Sequence, residues 1–438
     1  MQVNSEGGKG LPPGPTDHFD IQISPEYFDK IEWLFAEFGE ICRVRGAKRK
    51  SDSILINQPD YLKHVLLANS GNYHKGVGFE RVKLLLGNGI IVSDGAFWRR
   101  QRRMIQPAFH KSHIEHLSGS MLACNQDLCA RWEASAASGE PVNLSRAVND
   151  LSLQIILLSL FSEDYASMCK LQGGNPFGFL VDNSARDMQV VLKFRASSHL
   201  IVNLIKERRA QRRFPADLLS AFMNAIDKDS GLQMTDQEVV DEVMTIIVAG
   251  YETSASTLTW LWYLLSQNPT VEAMLHQEVD TLSSGSVPSF EEVQHLQYAR
   301  QIIEETIRLY PPVWLFTRKA LAADNIGGYT VPAGTDIFIS PYYLHRNRQY
   351  WGEDAASFKP ERFTPAANKK RHRFAYVPFS AGPRRCIGDI FGIIEMQIHL
   401  GIMARQFRLR LVPGQAVELD AAVNLRSKND IFVFIERR

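Results

Sequence analysis

The sequence predicts a mainly helical fold with a smaller β-rich portion. Apolar residues recur at helical spacing in two stretches, at about residues 92–312 and 386–407. Short alternating stretches bounded by Gly and Pro occupy three others, at about 45–65, 313–345 and 407–438. No internal repeat or low-complexity linker divides the chain. We therefore expect residues 1–438 to form a single domain.

The predicted helices have recognisable ends. SPEYFDKIEWLFAEFG is expected to be helical, with Pro25 near its start and Gly39 near its end. The longest helix is expected to begin after Thr235, which is suited to cap it, and to stop at Pro269. A further helix is expected directly after Cys386, with apolar residues at 387, 390, 391, 394 and 398.

The β-rich portion is predicted from three short segments. SILINQP is a candidate strand, IGGYTVPAGTDIFIS a candidate hairpin, and DIFVFIERR a closing strand. PERFTPAANKKRHRFAYVPFSAGP is rich in proline and aromatic residues without periodicity, which indicates a long ordered meander.

The composition of the chain disfavours several classes of protein. Forty-nine basic and 48 acidic residues leave a formal net charge of +1, which disfavours a nucleic-acid binder. Five widely spaced cysteines without a CxxC pair disfavour a disulfide framework or structural zinc, and favour a reducing compartment. The polar N-terminus has no signal-peptide core, and no run of about 18 apolar residues predicts a transmembrane segment. We expect a cytoplasmic protein.

Cys386 lies in an unusual setting, FSAGPRRCIG. A helix start supplies free N–H groups and a positive dipole end, and Arg384 and Arg385 add positive charge. These features are expected to lower the thiol pKa and favour a thiolate, the form that binds metals or attacks electrophiles. Gly388 and Gly392 remove side chains from the helix that follows. A buried structural cysteine remains an equal alternative on these features alone.

Three other patterns each have an ordinary explanation when taken singly. VAGYET places an acid beside a hydroxyl in the long helix, where Thr253 can bond back to an upstream carbonyl. Glu305 and Arg308 are spaced to pair on one helix, as surface residues often are. Trp98 and Arg102 are one turn apart in FWRRQRR, a run that would also suit a basic solvated face.

Together and in this order, the patterns resemble those of the cytochrome P-450 family of haem–thiolate monooxygenases, from about residue 20 to the C-terminus. The family's cysteine loop, Phe-x-x-Gly-x-Arg-x-Cys-x-Gly, is met at Phe379, Gly382, Arg384, Cys386 and Gly388. Its oxygen-activating helix pattern is met at Ala249, Gly250, Glu252 and Thr253. The remaining matches are Glu305, Arg308, Arg362, Trp98 and Arg102. Gly392 departs mildly from the family's alanine, and the stretch after Phe161 is short for two lid helices.

The resemblance implies a triangular prism-like fold and a role for each matched residue. Cys386 would be the axial thiolate of a haem b iron (iron protoporphyrin IX), next to Phe379 and Gly388 in its loop. Donors to the haem propionates would be Trp98, Arg102, Arg318 and Arg384. Catalysis would involve Ala249, Gly250, Glu252 and Thr253. Glu305, Arg308 and Arg362 would form a structural triad. The distal pocket, covered by the 76–92 loop, would be lined by Val248, Ala249, Val313, Leu315 and Phe316.

The implied reaction inserts one atom of dioxygen into a C–H or C=C bond of a hydrophobic substrate such as a terpenoid, fatty acid or polyketide-like molecule. The sequence shows no complete nucleotide-binding fingerprint, so NAD(P)H would act indirectly, through a ferredoxin or flavodoxin type donor and its reductase. Basic NKKRHR and PRRC would suit an acidic partner. The alternatives are a haem–thiolate peroxygenase or isomerase and, more remotely, a non-catalytic haem-binding sensor. The acid–alcohol pair at 252–253 argues against both.

Overall fold

A computed structural model describes residues 10–49, 51–182, 188–283 and 288–438. The polar N-terminal residues 1–9 lie outside the described residues. The described helices are α1 (Phe28–Phe38), α2 (Pro59–Lys63), α3 (Phe79–Leu86), α4 (Gly95–Ile105), α5 (Lys111–Ser138), α6 (Leu144–Phe161), α7 (Asp164–Gln172), α8 (Met188–Gln211), α9 (Leu218–Asn224), α10 (Asp236–Gln267), α11 (Pro269–Val279), α12 (Phe290–Gln294), α13 (Gln297–Leu309), α14 (Pro341–Leu344), α15 (Arg348–Trp351), α16 (Pro365–Lys370) and α17 (Asp389–Gln406).

The described strands are short, and most of them lie near the two ends of the chain. They are β1 (Ile41–Val44), β2 (Ser53–Ile56), β3 (Tyr73–Lys75), β4 (Val142–Asn143), β5 (Phe316–Ala320), β6 (Asp324–Ile326), β7 (Tyr329–Val331), β8 (Asp336–Ile339), β9 (Phe407–Leu411), β10 (Leu419–Ala421), β11 (Leu425–Ser427) and β12 (Phe432–Arg437). The mainly helical fold with a smaller β-rich portion is confirmed.

Helix α10 is the centre of the helical part. Thr235 and Glu238 form a reciprocal capping box at its start, and Pro269 follows its C-cap, as the sequence predicts. Most of its side chains are buried, because α10 packs against α6, α8, α9, α11, α13 and α17. A central helix covered on most sides provides a rigid support for the residues midway along it.

Helix α6 is long and apolar enough to cross a membrane by length and composition. Two-thirds of its apolar window is buried inside the protein, and its faces pack against α10 and α5. These are the features of a core helix.

The β-rich portion forms four small sheets. The largest has the order β1-β2-β8-β5-β3, and a second has the order β4-β12-β9. The predicted hairpin is confirmed only at its first turn, where β6 and β7 pair across Gly327 and Gly328. Strand β8 instead runs parallel to β2 and antiparallel to β5, because its residues are buried on both faces.

A buried ion pair fixes the meander before the cysteine loop. Arg308 donates two hydrogen bonds to Glu305, at 2.6 and 2.7 Å, and both side chains are fully buried. Its remaining N–H groups donate to the carbonyl oxygens of His345, Ala355 and Ser357. Arg362 lies 3.5 Å from Glu305 but donates mainly to Trp351 O and to Asp354. The three sequence-predicted residues therefore meet, with Arg308 as the principal partner of the carboxylate.

A second buried arginine, Arg208, cross-links the stretch after Phe161, which the sequence analysis finds short for two lid helices. Arg208 of α8 donates to Asp164 and Asp217, so it links the start of α7 to the N-cap of α9. The stretch after Phe161 contains the nine-residue α7 and the 24-residue α8. Residues 183–187 of this predicted lid lie outside the described residues.

Replacing Arg308 with alanine is expected to destabilise the protein by about 3–5 kcal/mol, because Glu305 is left buried and unpaired. The matched control is Arg300→Ala on the same helix, where the ion pair with Glu304 is half exposed and contributes less than about 1 kcal/mol. Thermal unfolding and the yield of folded protein measure both changes. Equal melting temperatures for the two variants would contradict the structural role of the pair.

Candidate active site around Cys386

The cysteine loop is closed by its own backbone. The Cys386 N–H donates to Phe379 O at 2.9 Å, and Arg385 N–H donates to Gly382 O. Gly382 has φ +67°, and a side chain there would lie 1.9 Å from the backbone oxygen of Leu66. Glycine is therefore required at this position, where the loop presses against the segment that follows α2.

The residue Cys386 keeps accessible surface although protein atoms lie closely around its thiol. Its residue surface is exposed, yet burial among protein atoms raises the pKa of its thiol. The backbone N–H of Gly388 and the positive charges of Arg102 and Arg385 lower the pKa of the thiol, but burial raises it by more. The expectation that the surroundings alone lower this pKa is therefore wrong, because burial outweighs the helix start and the arginines. A metal cation bound to this thiol would ionise it.

A cluster of basic side chains lies next to the thiol. Arg318 is buried, its pKa is lowered to about 10 mainly by burial, and it donates to Thr317 O. Lys75 lies opposite Arg318 in the β3–β5 pair, and burial lowers its pKa well below the usual value, with Arg318 and Arg384 contributing. Arg384 is paired with Asp94 and donates to Ser93 O. These three basic groups are accompanied by the carboxylate of Asp94, which leaves the cluster a net positive charge.

Helix α4 supplies the other two predicted donors. The buried Trp98 ring lies 3.9 Å from the Arg384 guanidinium, so it supports that arginine by a cation–π contact. Arg102, one turn later, donates to Arg385 O at 2.9 Å and to Gln106. Arg102 thus anchors the backbone immediately before Cys386.

An accessible strip interrupts the buried surface of α10. Val248, Ala249, Glu252 and Thr253 are only partly buried, whereas most residues on either side of them are buried. Thr253 Oγ1 donates to Ala249 O at 2.9 Å, the back-bond that the sequence predicts. Thr257 and Thr259 make the same kind of bond. Accessibility, rather than the bond itself, distinguishes Thr253.

Gly250 has a packing role. A side chain at Gly250 would lie 3.2 Å from Ile156, so glycine allows α10 and α6 to approach closely. Gly388 has open space where its side chain would be, whereas a side chain on Gly392 would face Ser254 of α10. Gly388 therefore leaves open space two residues after Cys386, and Gly392 lies on the face of α17 that meets α10.

The predicted pocket residues differ in how much accessible surface they keep. Val313 and Val248 keep accessible surface, and Phe316 keeps 8%. Leu315 keeps 2% and packs into a core cluster with Trp314. Val248 and Val313 therefore each keep accessible surface, whereas Leu315 keeps almost none.

The predicted cover, residues 76–92, contains α3 and a segment bound to α10. Asp241 accepts the N–H of Asn88 at 2.7 Å, and Glu242 accepts the N–H of Ile90 at 2.9 Å. Two neighbouring carboxylates on α10 thereby fix the backbone that follows α3.

Comparison with known proteins agrees with this geometry. Residues 15–174 and 175–429 match the family described as Cytochrome P450. "Cyclooctat-9-en-7-ol 5-monooxygenase" of Streptomyces melanosporofaciens is 35% identical over 393 residues, covering 86% of this chain and 84% of that protein. "Pentalenene oxygenase" of Streptomyces avermitilis is 31% identical over 374 residues, covering 82% of each. The crystal structure of the cytochrome P450DA heme domain has a TM-score of 0.86 at 23% identity, covering 99% of this chain and 98% of that one.

The chain belongs to the cytochrome P450 family and is an oxidoreductase of the monooxygenase class. The family and fold imply haem b with dioxygen as co-substrate. The residues present fit that group. Cys386 keeps accessible surface, Gly388 leaves open space close to it, and the net positive charge of the Lys75, Arg318 and Arg384 cluster suits the two propionate carboxylates of a haem.

Sequence reasoning missed Lys75 and Asp94. Neither belongs to a motif, and Lys75 comes next to Arg318 only through pairing of β3 with β5. The available signal is that Lys75 follows a short β-type segment, NYH, in a chain already expected to bind two carboxylates.

Lys75→Met is expected to weaken haem retention about tenfold or more, since a hydrogen bond to a charged group contributes about 1.5–3 kcal/mol. Lys319→Met is the control, because Lys319 is exposed on the adjacent strand. Transfer of haem from each holoprotein to an excess of apomyoglobin measures the rate. Equal rates for the two variants would remove Lys75 from the propionate site.

Proposed function

We propose that this cytochrome P450 monooxygenase oxidises a hydrophobic substrate of terpenoid, fatty-acid or polyketide-like type, using electrons from a separate redox protein. The accessible strip on α10 carries the proposal, since it joins apolar Val248 to the acid–hydroxyl pair of Glu252 and Thr253. Apolar Val313 adds to the lining. The relatives named for cyclooctat-9-en-7-ol and pentalenene favour a terpenoid within this group.

The protein's part in the reaction is to hold the cofactor, exclude water and deliver protons. When bound, the haem supplies the iron at which dioxygen is activated. Cys386 would hold it from one side, and Lys75, Arg318 and Arg384 would bind its carboxylates. The 87–93 segment, bound to Asp241 and Glu242, would keep water from the substrate.

Thr253 and Glu252 are assigned to proton delivery. The Thr253 hydroxyl is bonded to Ala249 O, and rotation of the side chain turns its proton towards the accessible side of α10. Glu252 is partly exposed, so it can be reprotonated from solvent. Proton transfer by a positioned group of this kind typically contributes about 10²–10⁴-fold.

The electron donor is assigned to the ferredoxin or flavodoxin class. Lys369, Lys370 and Arg373 are exposed, and within the described residues they form no ion pair. Residues 373–375 contact α2, and the segment directly after α2 contacts 382–384 of the cysteine loop. The basic run and the cysteine loop therefore flank one helical segment, a surface suited to an acidic protein.

Titration of the holoprotein with terpenoids, fatty acids and polyketide-like compounds tests the substrate class. A hydrophobic ligand is expected to displace water and shift the haem absorption spectrum, and a true substrate is also expected to be oxygenated in a reconstituted assay. Spectral shifts confined to polar ligands would contradict the proposed class.

Thr253→Ala is expected to leave haem content and substrate affinity nearly unchanged while lowering product formed per NAD(P)H consumed. The missing electrons are expected as hydrogen peroxide, because protons arrive too slowly. Thr257→Ala is the matched control, since Thr257 makes the same back-bond at a buried position. Product, peroxide and NAD(P)H are measured together, and equal coupling in both variants would place the proton route elsewhere.

Turnover is expected to require a second protein. NADPH or NADH alone should give no product, and an acidic ferredoxin with its reductase should restore activity that falls with added salt. Lys369→Glu/Lys370→Glu should raise the KM for ferredoxin several-fold, whereas Lys206→Glu, an exposed lysine on α8, should not. Efficient turnover with nucleotide alone, or equal KM values, would contradict the assignment.

A further inference from the structure

Helices α10 and α17 make a close polar contact beside the predicted catalytic residues. Ser254, which follows Thr253, donates to Glu395 Oε2 at 2.8 Å. Gly388, Gly392 and Glu395 are spaced i, i+4 and i+7, so they share one face at the start of α17. A side chain on Gly392 would lie 3.9 Å from Ser254, an ordinary packing distance, so Gly392 lies on the face of α17 that meets Ser254.

Burial of Glu395 favours the uncharged acid, whereas its two serine neighbours act in the opposite direction. Glu395 is 2% exposed, and its Oε1 is buried without a hydrogen-bond partner. Ser152 Oγ of α6 is likewise buried without a bonded partner, and it lies near enough to lower the pKa of Glu395. A carboxylate only accepts hydrogen bonds, whereas a carboxylic acid also donates one, which Ser152 can accept. Burial raises the pKa of Glu395 to about 7.

The groups that face Glu395 carry no charge to balance it. From α6 and α10 these groups are the two serine hydroxyls. Cys124 of α5 has a pKa raised to about 12, so its thiol is uncharged. His399, one turn along α17, has a pKa lowered to about 3 and is held neutral between Trp262 and Asn125. An ionised Glu395 would therefore be an unpaired buried charge.

We infer that Glu395 is a positioning residue for the monooxygenase: as a neutral carboxylic acid it holds the helix that follows Cys386 against the helix that carries Thr253. The inference rests on the proposed roles of those two residues. Glu395 touches neither of them, and it acts through Ser254 and the spacing of α17. Its ionisation at higher pH places a negative charge on the helix that follows Cys386, which opposes uptake of an electron by a haem bound there.

The test compares holoprotein variants between pH 5.5 and 8.5. Glu395→Gln keeps a donor and an acceptor but cannot ionise, and Glu395→Leu removes both. The midpoint potential of the wild type is expected to shift to more negative values as pH rises through about 7, and this component should be absent in Glu395→Gln. Glu395→Leu and Ser254→Ala are each expected to reduce product per NAD(P)H several-fold at pH 6, and the double variant should lose little more.

The matched control is Glu242→Gln. Glu242 is also buried on α10 with a pKa raised to about 7, but it binds Ile90 and Gln101 rather than α17. Its substitution should leave the pH dependence of the potential as in the wild type. The inference is overturned if Glu395→Gln keeps the wild-type pH dependence, and this test stands even if Glu395→Leu fails to fold. Failure of the proposed function would appear separately, as normal coupling in Thr253→Ala.

Discussion

The charge imbalance beside Cys386 is the constraint on which the active site depends. Lys75, Arg318 and Arg384 lie together, and Asp94 is the carboxylate that acts on all three within the described part of the chain; burial lowers the pKa of each basic group. Such an arrangement costs free energy unless a ligand with two negative charges completes it. Burial likewise raises the thiol pKa of Cys386, which a metal ion would reverse. A single ligand that carries both a metal ion and two carboxylates would therefore satisfy the basic cluster and the thiol together.

Contacts elsewhere in the fold hold the cysteine loop in position. Arg308 ties Glu305 to the backbone carbonyls of His345, Ala355 and Ser357, in the segment that leads into the meander and then the cysteine loop. Gly382 lets the loop press against the segment after α2, and Arg102 holds its last residue before Cys386. Buried ion pairs are weak evidence for net stability, but they specify one arrangement because any other would leave charges unpaired.

The sequence predicts local features well and those set by long-range pairing poorly. The limits of α10 follow from the Thr235 cap and Pro269, and the Glu305–Arg308 pair follows from i, i+3 spacing. Lys75 could not be predicted, since strand pairing far along the chain brings it to Arg318. The resemblance predicts Leu315 in the pocket, but its side chain packs into a core cluster with Trp314, a tertiary contact that no local pattern predicts.

The central claim is that Cys386 is the thiolate ligand of the haem, and the carbon-monoxide difference spectrum of the reduced protein tests it most directly. Cys386→Ala should lose the spectrum characteristic of thiolate ligation, because no other described cysteine combines accessible surface with this loop. Cys169→Ala, at a partly buried cysteine on α7, should keep it. Survival of the thiolate spectrum in Cys386→Ala would contradict the account.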